Sequence, residues 1–219
     1  MKTVSKKYKL FLLLSLSIYN TTFGQSKTGV ENYQSMVDRS AINLVYVIHH
    51  STKKNVYTEL RYNYEDLNTV SGYIGKTLEI NGNSNFSVSP MAGLVVGNYT
   101  GGSLAMNTDF EYKKIYFSSQ AQYTINKDDE TNNFFYNWSE LAYYTLPWLY
   151  TGVTLQQTWL PETKMKTVPG ILAGFKKNRW SVPVYLFNPA GKERYFIIGV
   201  NIEWEHQNKT KLDNNKKGY

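Results

Sequence analysis

The chain has 219 residues, no cysteine and a formal charge of +7, with 19 Tyr, 10 Phe and 5 Trp at a mean hydropathy of −0.45. The lack of cysteine excludes lipoprotein anchoring, disulfides and thiolate metal sites, and aromatic wealth without overall hydrophobicity does not suit a bundle of membrane-spanning helices. Nor does the charge mark a nucleic-acid surface: four positive charges fall in the first 24 residues and a net three after His206, so residues 25–206 balance to zero.

Taken in chain order, Lys2, Lys6, Lys7 and Lys9 form a basic stretch ahead of a short apolar run from Leu10 to Ile18. Thr22 and Gly24 then supply the small residues a signal peptidase requires, so 1–24 reads as a cleaved signal peptide and Gln25 as the mature terminus. The apolar run is about half of the roughly 20 residues that a spanning helix needs. Residues 25–40 are an N-terminal segment, expected to add a strand over 29–38 or to cross the lumen of whatever follows. Residues 207–219, rich in Lys and Asn, are expected to be a disordered polar tail.

From residue 41 the hydrophobic period is two. In the second strand Tyr57, Glu59, Arg61, Asn63 and Glu65 interleave with Val56, Leu60, Tyr62 and Tyr64. Further on, Leu104, Met106, Phe110 and Tyr112 oppose Ser103, Asn107, Asp109 and Glu111, and Ile115, Phe117, Ala121 and Tyr123 oppose Tyr116, Ser118, Gln120 and Gln122. The last face, Phe196, Ile198, Val200, Ile202 and Trp204, opposes Gly199, Asn201, Glu203 and Glu205. Turn signals at 51–55, 81–84, 97–102, 127–131, 161–164, 176–179 and 188–193 separate the runs. Eleven strands are predicted: 41–50, 55–65, 69–80, 85–97, 102–112, 114–126, 132–146, 148–160, 166–176, 179–188 and 193–206.

Each is near the roughly 9–11 residues that cross a bilayer when tilted. The polar faces carry Ser, Thr, Gln and Asn, Lys gathers at the turns, and the apolar faces often end in aromatics, as interface girdles do. The expectation is an all-β fold, a closed antiparallel transmembrane β-barrel of about 12 strands (10–12) over 41–206, with a soluble lipocalin-like carrier as the alternative. Pro90, Pro169 and Pro183 fall inside strands, where each removes a ladder donor, and are expected at strand ends or bulges.

Gly199, Ile202 and Trp204 resemble the closing-strand signal of bacterial outer-membrane proteins, a Gly followed by apolar residues at +3 and +5; Ile197 departs from it. That resemblance implies that the turns at 112–114, 146–148 and 176–179 are periplasmic and the longer loops lie outside. Phe134-Phe135-Tyr136-Asn137-Trp138-Ser139-Glu140-Leu141, with Arg61 to Glu65 and Tyr185 to Pro189, resembles an uncharacterised Gram-negative outer-membrane β-barrel family of porin-like proteins. The resemblance implies the fold and an outer-membrane location, and no known reaction.

The alternation places Glu59, Arg61, Asp109, Glu111, Gln120, Gln122, Glu140 and Glu203, together with Glu205, on inward faces. Two readings stay open. They line a narrow aqueous path biased towards cations, as carboxylate rings do, or they pair with Arg61 and tyrosine hydroxyls as a buried plug. His49-His50-Ser51 is the one His/Ser cluster, but a strand sends His49 and His50 to opposite faces, and His206 lies far away, so neither a catalytic nor a metal site is assigned. The sequons at Asn98 and Asn137 read as chance matches, and Gly97 to Gly102 as a tight outer loop. The functional expectation is a narrow channel or small-solute conduit, non-enzymatic and without cofactor. A lipid-modifying outer-membrane enzyme and a structural barrel with a filled lumen are the alternatives. Expected partners are outer-membrane lipid, the barrel-assembly machinery during insertion and a small solute, with no nucleic acid.

Overall fold

The computed structural model describes residues 26–38 and 41–206; residues 1–25, 39–40 and 207–219, and with them the expected signal peptide and polar tail, lie outside the described residues. Thirteen strands follow one another: β1 (Ser26–Asp38), β2 (Ala41–Ser51), β3 (Val56–Tyr62), β4 (Thr69–Lys76), β5 (Leu78–Asn81), β6 (Asn85–Gly97), β7 (Gly101–Tyr112), β8 (Ile115–Asn126), β9 (Phe134–Leu146), β10 (Leu149–Trp159), β11 (Lys166–Lys177), β12 (Trp180–Phe187) and β13 (Tyr195–His206). A short 3-10 turn, Glu130–Asn132, interrupts the loop after β8.

Every pairing is antiparallel and joins chain neighbours, except that β1 pairs β13 and β4 pairs β6. The sheet is therefore a closed up-and-down barrel of twelve staves. β4 and β5 make one of those staves, because both lie on β6 in a single register: Gly75 faces Met91 and Leu78 faces Val88. The break between them falls opposite Pro90, which has no N–H for the ladder. Thr77 fills the gap by donating its backbone N–H to Asn55 O at 2.8 Å, and its hydroxyl meets Ser89 Oγ at 2.8 Å.

Closure settles the open question at the N-terminal segment. Residues 26–38 form a full strand between β2 and β13, and supply the stave that makes the count even. The prolines lie differently from the expectation. Pro169 lies just beyond the β11–β12 ladder, where its carbonyl accepts from Asn188 N at 2.7 Å. All three sit within strands, Pro169 opposite Leu155 of β10, and the β12–β13 ladder skips from Ser181 to Val184 beside Pro183.

The two ends of the barrel differ. At the end where β1 starts and β13 finishes, the links are 52–55, 82–84, 113–114, 147–148 and 178–179. At the other end lie the longer loops 63–68, 127–133, 160–165 and 188–194. Lys113 and Asn178 take φ of 55° in their two-residue links, as tight hairpins require. The terminal end thus carries the tight turns, and the loop end the variable ones.

Side chains alternate across the wall throughout. Leu60, Ile74, Leu94, Leu104, Val153 and Ile171 are all at least half exposed on the outside. Towards the terminal end, the outer face adds exposed Tyr112, Tyr143, Trp148, Phe175 and Trp180, with Trp148 and Phe175 in ring contact at 5.8 Å. Lys113 and Lys114 lie over the rings of Tyr112 and Tyr143 at 5.0 and 5.9 Å. A soluble barrel would bury such a surface; a girdle of this kind at an apolar band suits the lipid interface. No helix among the described residues is long and apolar enough to cross a membrane.

Candidate functional site

The inward faces fill the lumen unevenly. On the β9–β13 wall, with Tyr33 of β1, Trp138, Tyr185, Phe187, Tyr33 and Tyr195 form an aromatic stack. Trp138 meets Tyr33 at 5.4 Å, Tyr185 at 5.1 Å and Phe187 at 5.9 Å, all tilted or edge-on as ring quadrupoles favour. Its indole N–H donates to Thr154 Oγ1 at 2.9 Å. Inward glycines make room for rings on adjacent strands: a Cβ on Gly174 would stand 2.1 Å from the Tyr150 ring, and one on Gly93 2.5 Å from Tyr73.

Facing this stack stands Arg61 on β3, 2 % exposed. Its guanidinium donates to Glu59 Oε1 and to Gln122 Oε1, lies 3.7 Å from Glu65 Oε1, and is covered by the rings of Tyr64 and Tyr73 at 4.3 and 4.4 Å. Burial of an arginine is tolerable only with such complete pairing. Glu65, whose side chain has no exposure, accepts in turn from Ser71 Oγ and from the Tyr73 hydroxyl at 2.9 Å. Strand β3 ends at Tyr62, three residues before the predicted end. Asn63 adopts φ 57°, its Oδ1 accepts from Asn68 N at 2.7 Å, and Tyr64 and Glu65 fold into the lumen from a loop. Tyr64 then crosses the barrel to donate to Gln120 Oε1 at 2.9 Å and to meet Tyr136 edge-on at 5.9 Å.

Closer to the terminal end the lumen changes character. The ladder registers place Glu31, Glu59, Asn107 and Glu140 at nearly one level, with Asp109 a step nearer the terminal end and Glu203 and Glu111 at the rim. Glu31 and its neighbour His49 keep 15 % and 18 % side-chain exposure, and Glu140 and Asp109 are half-buried, although all four lie inside the wall. Each carboxylate accepts from a tyrosine: Tyr33 to Glu31 at 2.7 Å, Tyr57 to Glu59 at 2.5 Å, Tyr116 to Asp109 at 2.9 Å and Tyr185 to Glu140 at 2.8 Å. Among the described residues, Asn107 and Asn201 also turn buried Oδ1 atoms without a protein partner into this region.

The inward residues read from the sequence therefore separate. Glu59, Arg61 and Gln122 join one buried cluster, with Gln120 tied to it through Tyr64; Asp109 and Glu140 lie outside that cluster, on either side of β8 and both in register with Ser118, while Glu111 and Glu203 are exposed at the terminal rim. Sequence reasoning missed Glu31, Tyr33 and Tyr64. An acid and a tyrosine two apart share a strand face, and that spacing in Glu31–Tyr33 and Tyr57–Glu59 was the available signal. His49 points inward, 3.4 Å from Glu31 and stacked on Tyr57 at 6.1 Å, while His50 meets Thr28 Oγ1 at 2.8 Å. The Nε2 edge of His49 packs over Gly29, where a Cβ would be 2.1 Å away. Among the described residues no group of His, Asp or Glu is arranged to hold a metal.

A closed antiparallel barrel with an apolar exterior and a polar, partly filled lumen is the fold of a transmembrane β-barrel. Solved structures agree on the fold. The KdgM porin in complex with disordered oligogalacturonate superposes with a TM-score of 0.57 at 11 % identity, covering 82 % of this chain and 99 % of that one. The NanC porin gives 0.54 at 7 % identity, covering 82 % and 100 %. The sequence matches no protein-family model, and no relative is found among curated proteins.

Proposed function

We propose that the protein is a narrow outer-membrane conduit for small solutes that favours cationic over anionic ones. The observation that carries the reading is the set of half-buried carboxylates, Glu31, Asp109 and Glu140, in the terminal half of the lumen, where Arg61 is already engaged by Glu59 and Glu65. Carboxylates inside a low-dielectric wall raise the local concentration of cations and repel anions. The KdgM porin was captured with oligogalacturonate, an acidic oligosaccharide; the carboxylates here argue for a different solute. Short turns at the terminal end match the periplasmic side of such barrels and longer loops the outside, and the outer band would meet outer-membrane lipid after insertion by the assembly machinery. An enzyme is less well supported: the inward His49 is paired with Glu31, stacked on Tyr57 and packed over Gly29.

A second reading, a structural barrel with a filled lumen, is favoured by the septum of Arg61, Tyr64, Tyr136 and Trp138 in the loop-side half of the lumen. Ion conductance across a planar bilayer separates the two. Discrete steps with a reversal potential on the cation side in a salt gradient, lowered by Glu140→Gln or Asp109→Asn, are expected of the conduit. A folded barrel that stays silent leaves the filled barrel standing.

A further inference from the structure

The septum is not built alike on its two sides. On the β3–β4 side its contacts are ionic and local: Arg61 with Glu59 and Glu65, and Glu65 with Ser71 at 2.8 Å and Tyr73 at 2.9 Å. The loop joining these strands has a closed neck, where Asn63 N donates to Thr69 O at 2.9 Å and Asn68 N to Asn63 Oδ1 at 2.7 Å. Both neck residues hold positive φ, 57° and 54°. Across the lumen every contact is to a neutral partner. Arg61 reaches Gln122 Oε1, Tyr64 reaches Gln120 Oε1 at 2.9 Å, and Tyr64 touches the Tyr136 edge at 5.9 Å. Gln122 is held for this purpose by its own donation to Thr124 Oγ1 at 3.3 Å.

We propose that loop 63–68 together with Arg61 is the gate of the conduit, a leaf hung on β3 and β4 and latched to β8 and β9 through Gln120, Gln122 and Tyr136. The inference rests on the conduit reading and adds how its path is opened. A seal meant to be permanent would spread its charged contacts over both walls. Here the charged contacts of Arg61, Tyr64 and Glu65 all lie on β3, β4 and the loop between them, so parting from β8 and β9 breaks only neutral ones. The line of parting runs between Tyr64 and Tyr136, and its opening joins the acid-lined terminal half to the loop end.

The full chain, refolded and checked by its heat-dependent gel mobility, is recorded in planar bilayers beside Gln120→Ala/Gln122→Ala. Losing two latch hydrogen bonds, one of them to a charged donor, is expected to raise the open fraction at least about tenfold with ion preference unchanged. A Tyr64→Cys/Gln120→Cys variant, bridged by a short cleavable bismaleimide in a chain otherwise free of cysteine, is expected to lose its current until the bridge is cut. A conducting wild type whose open fraction neither change alters overturns the gate and leaves the conduit intact. Replacing loop 63–68 by an Asn-Gly turn separates the remaining case: a folded barrel still silent without its leaf overturns both.

Discussion

The two halves of the lumen solve the same problem in opposite ways. Towards the loop end, charge is buried and fully paired: Arg61 lies among Glu59, Glu65, Tyr64, Tyr73 and Gln122, and Trp138, Tyr185 and Phe187 pack against the facing wall. Towards the terminal end, Glu31, Asp109 and Glu140 keep only tyrosine partners or a histidine and stay half-buried. A cation placed among several acceptors makes a septum; acids paired only with tyrosines or a histidine make a vestibule. The difference follows from charge pairing, since the residue types are otherwise similar.

Breaking the septum has the largest expected effect. Arg61→Leu strands Glu59 and Glu65 in a dry site and should cost about 3–5 kcal/mol, read as a lower urea midpoint for the folded barrel. Replacing all three with apolar residues of similar volume should recover most of that loss, because the penalty lies in the unpaired charge. Trp138→Ala removes three ring contacts and the bond to Thr154, and about 3–4 kcal/mol is expected by the same titration. Gly174→Ala drives a methyl into the Tyr150 ring and should cost about 1–3 kcal/mol. In a Tyr150→Leu background that cost should shrink, a coupling that a double-mutant cycle measures.

The vestibule sharpens the contrast from the other side. Glu140→Gln keeps an acceptor for Tyr185, so stability should change by less than about 1 kcal/mol. The reversal potential should nevertheless move towards zero. A large loss of stability with unaltered ion preference would show that Glu140 belongs to a buried plug, and the two halves would then be one.

Most of the barrel was legible in the chain because the side-chain period of a strand is two and both faces of a membrane barrel are constrained. The stave over 85–97 matches its predicted bounds, and most others fall within two residues. The loop ends were harder. Tyr64 and Glu65 continue the alternation of β3, so nothing in the period reveals that Asn63 turns the backbone inward. The prolines misled for a related reason: Pro90 and Pro183 occupy ladder gaps that depend on the neighbouring strand, which local sequence does not describe.

Along the regular strands the sequence by itself determined which side chains point outward and which inward, since alternation is a local property of an extended backbone. It also carried the even charge balance and the turn chemistry. Only the tertiary structure decided which lumenal groups meet. Arg61 lies 61 residues from Gln122 and Glu140 lies 45 from Tyr185, and their contacts depend on the stagger accumulated around the closed ring. Stagger is set by every pairing at once, so the sorting of charge into a septum and a vestibule appears only when the barrel closes.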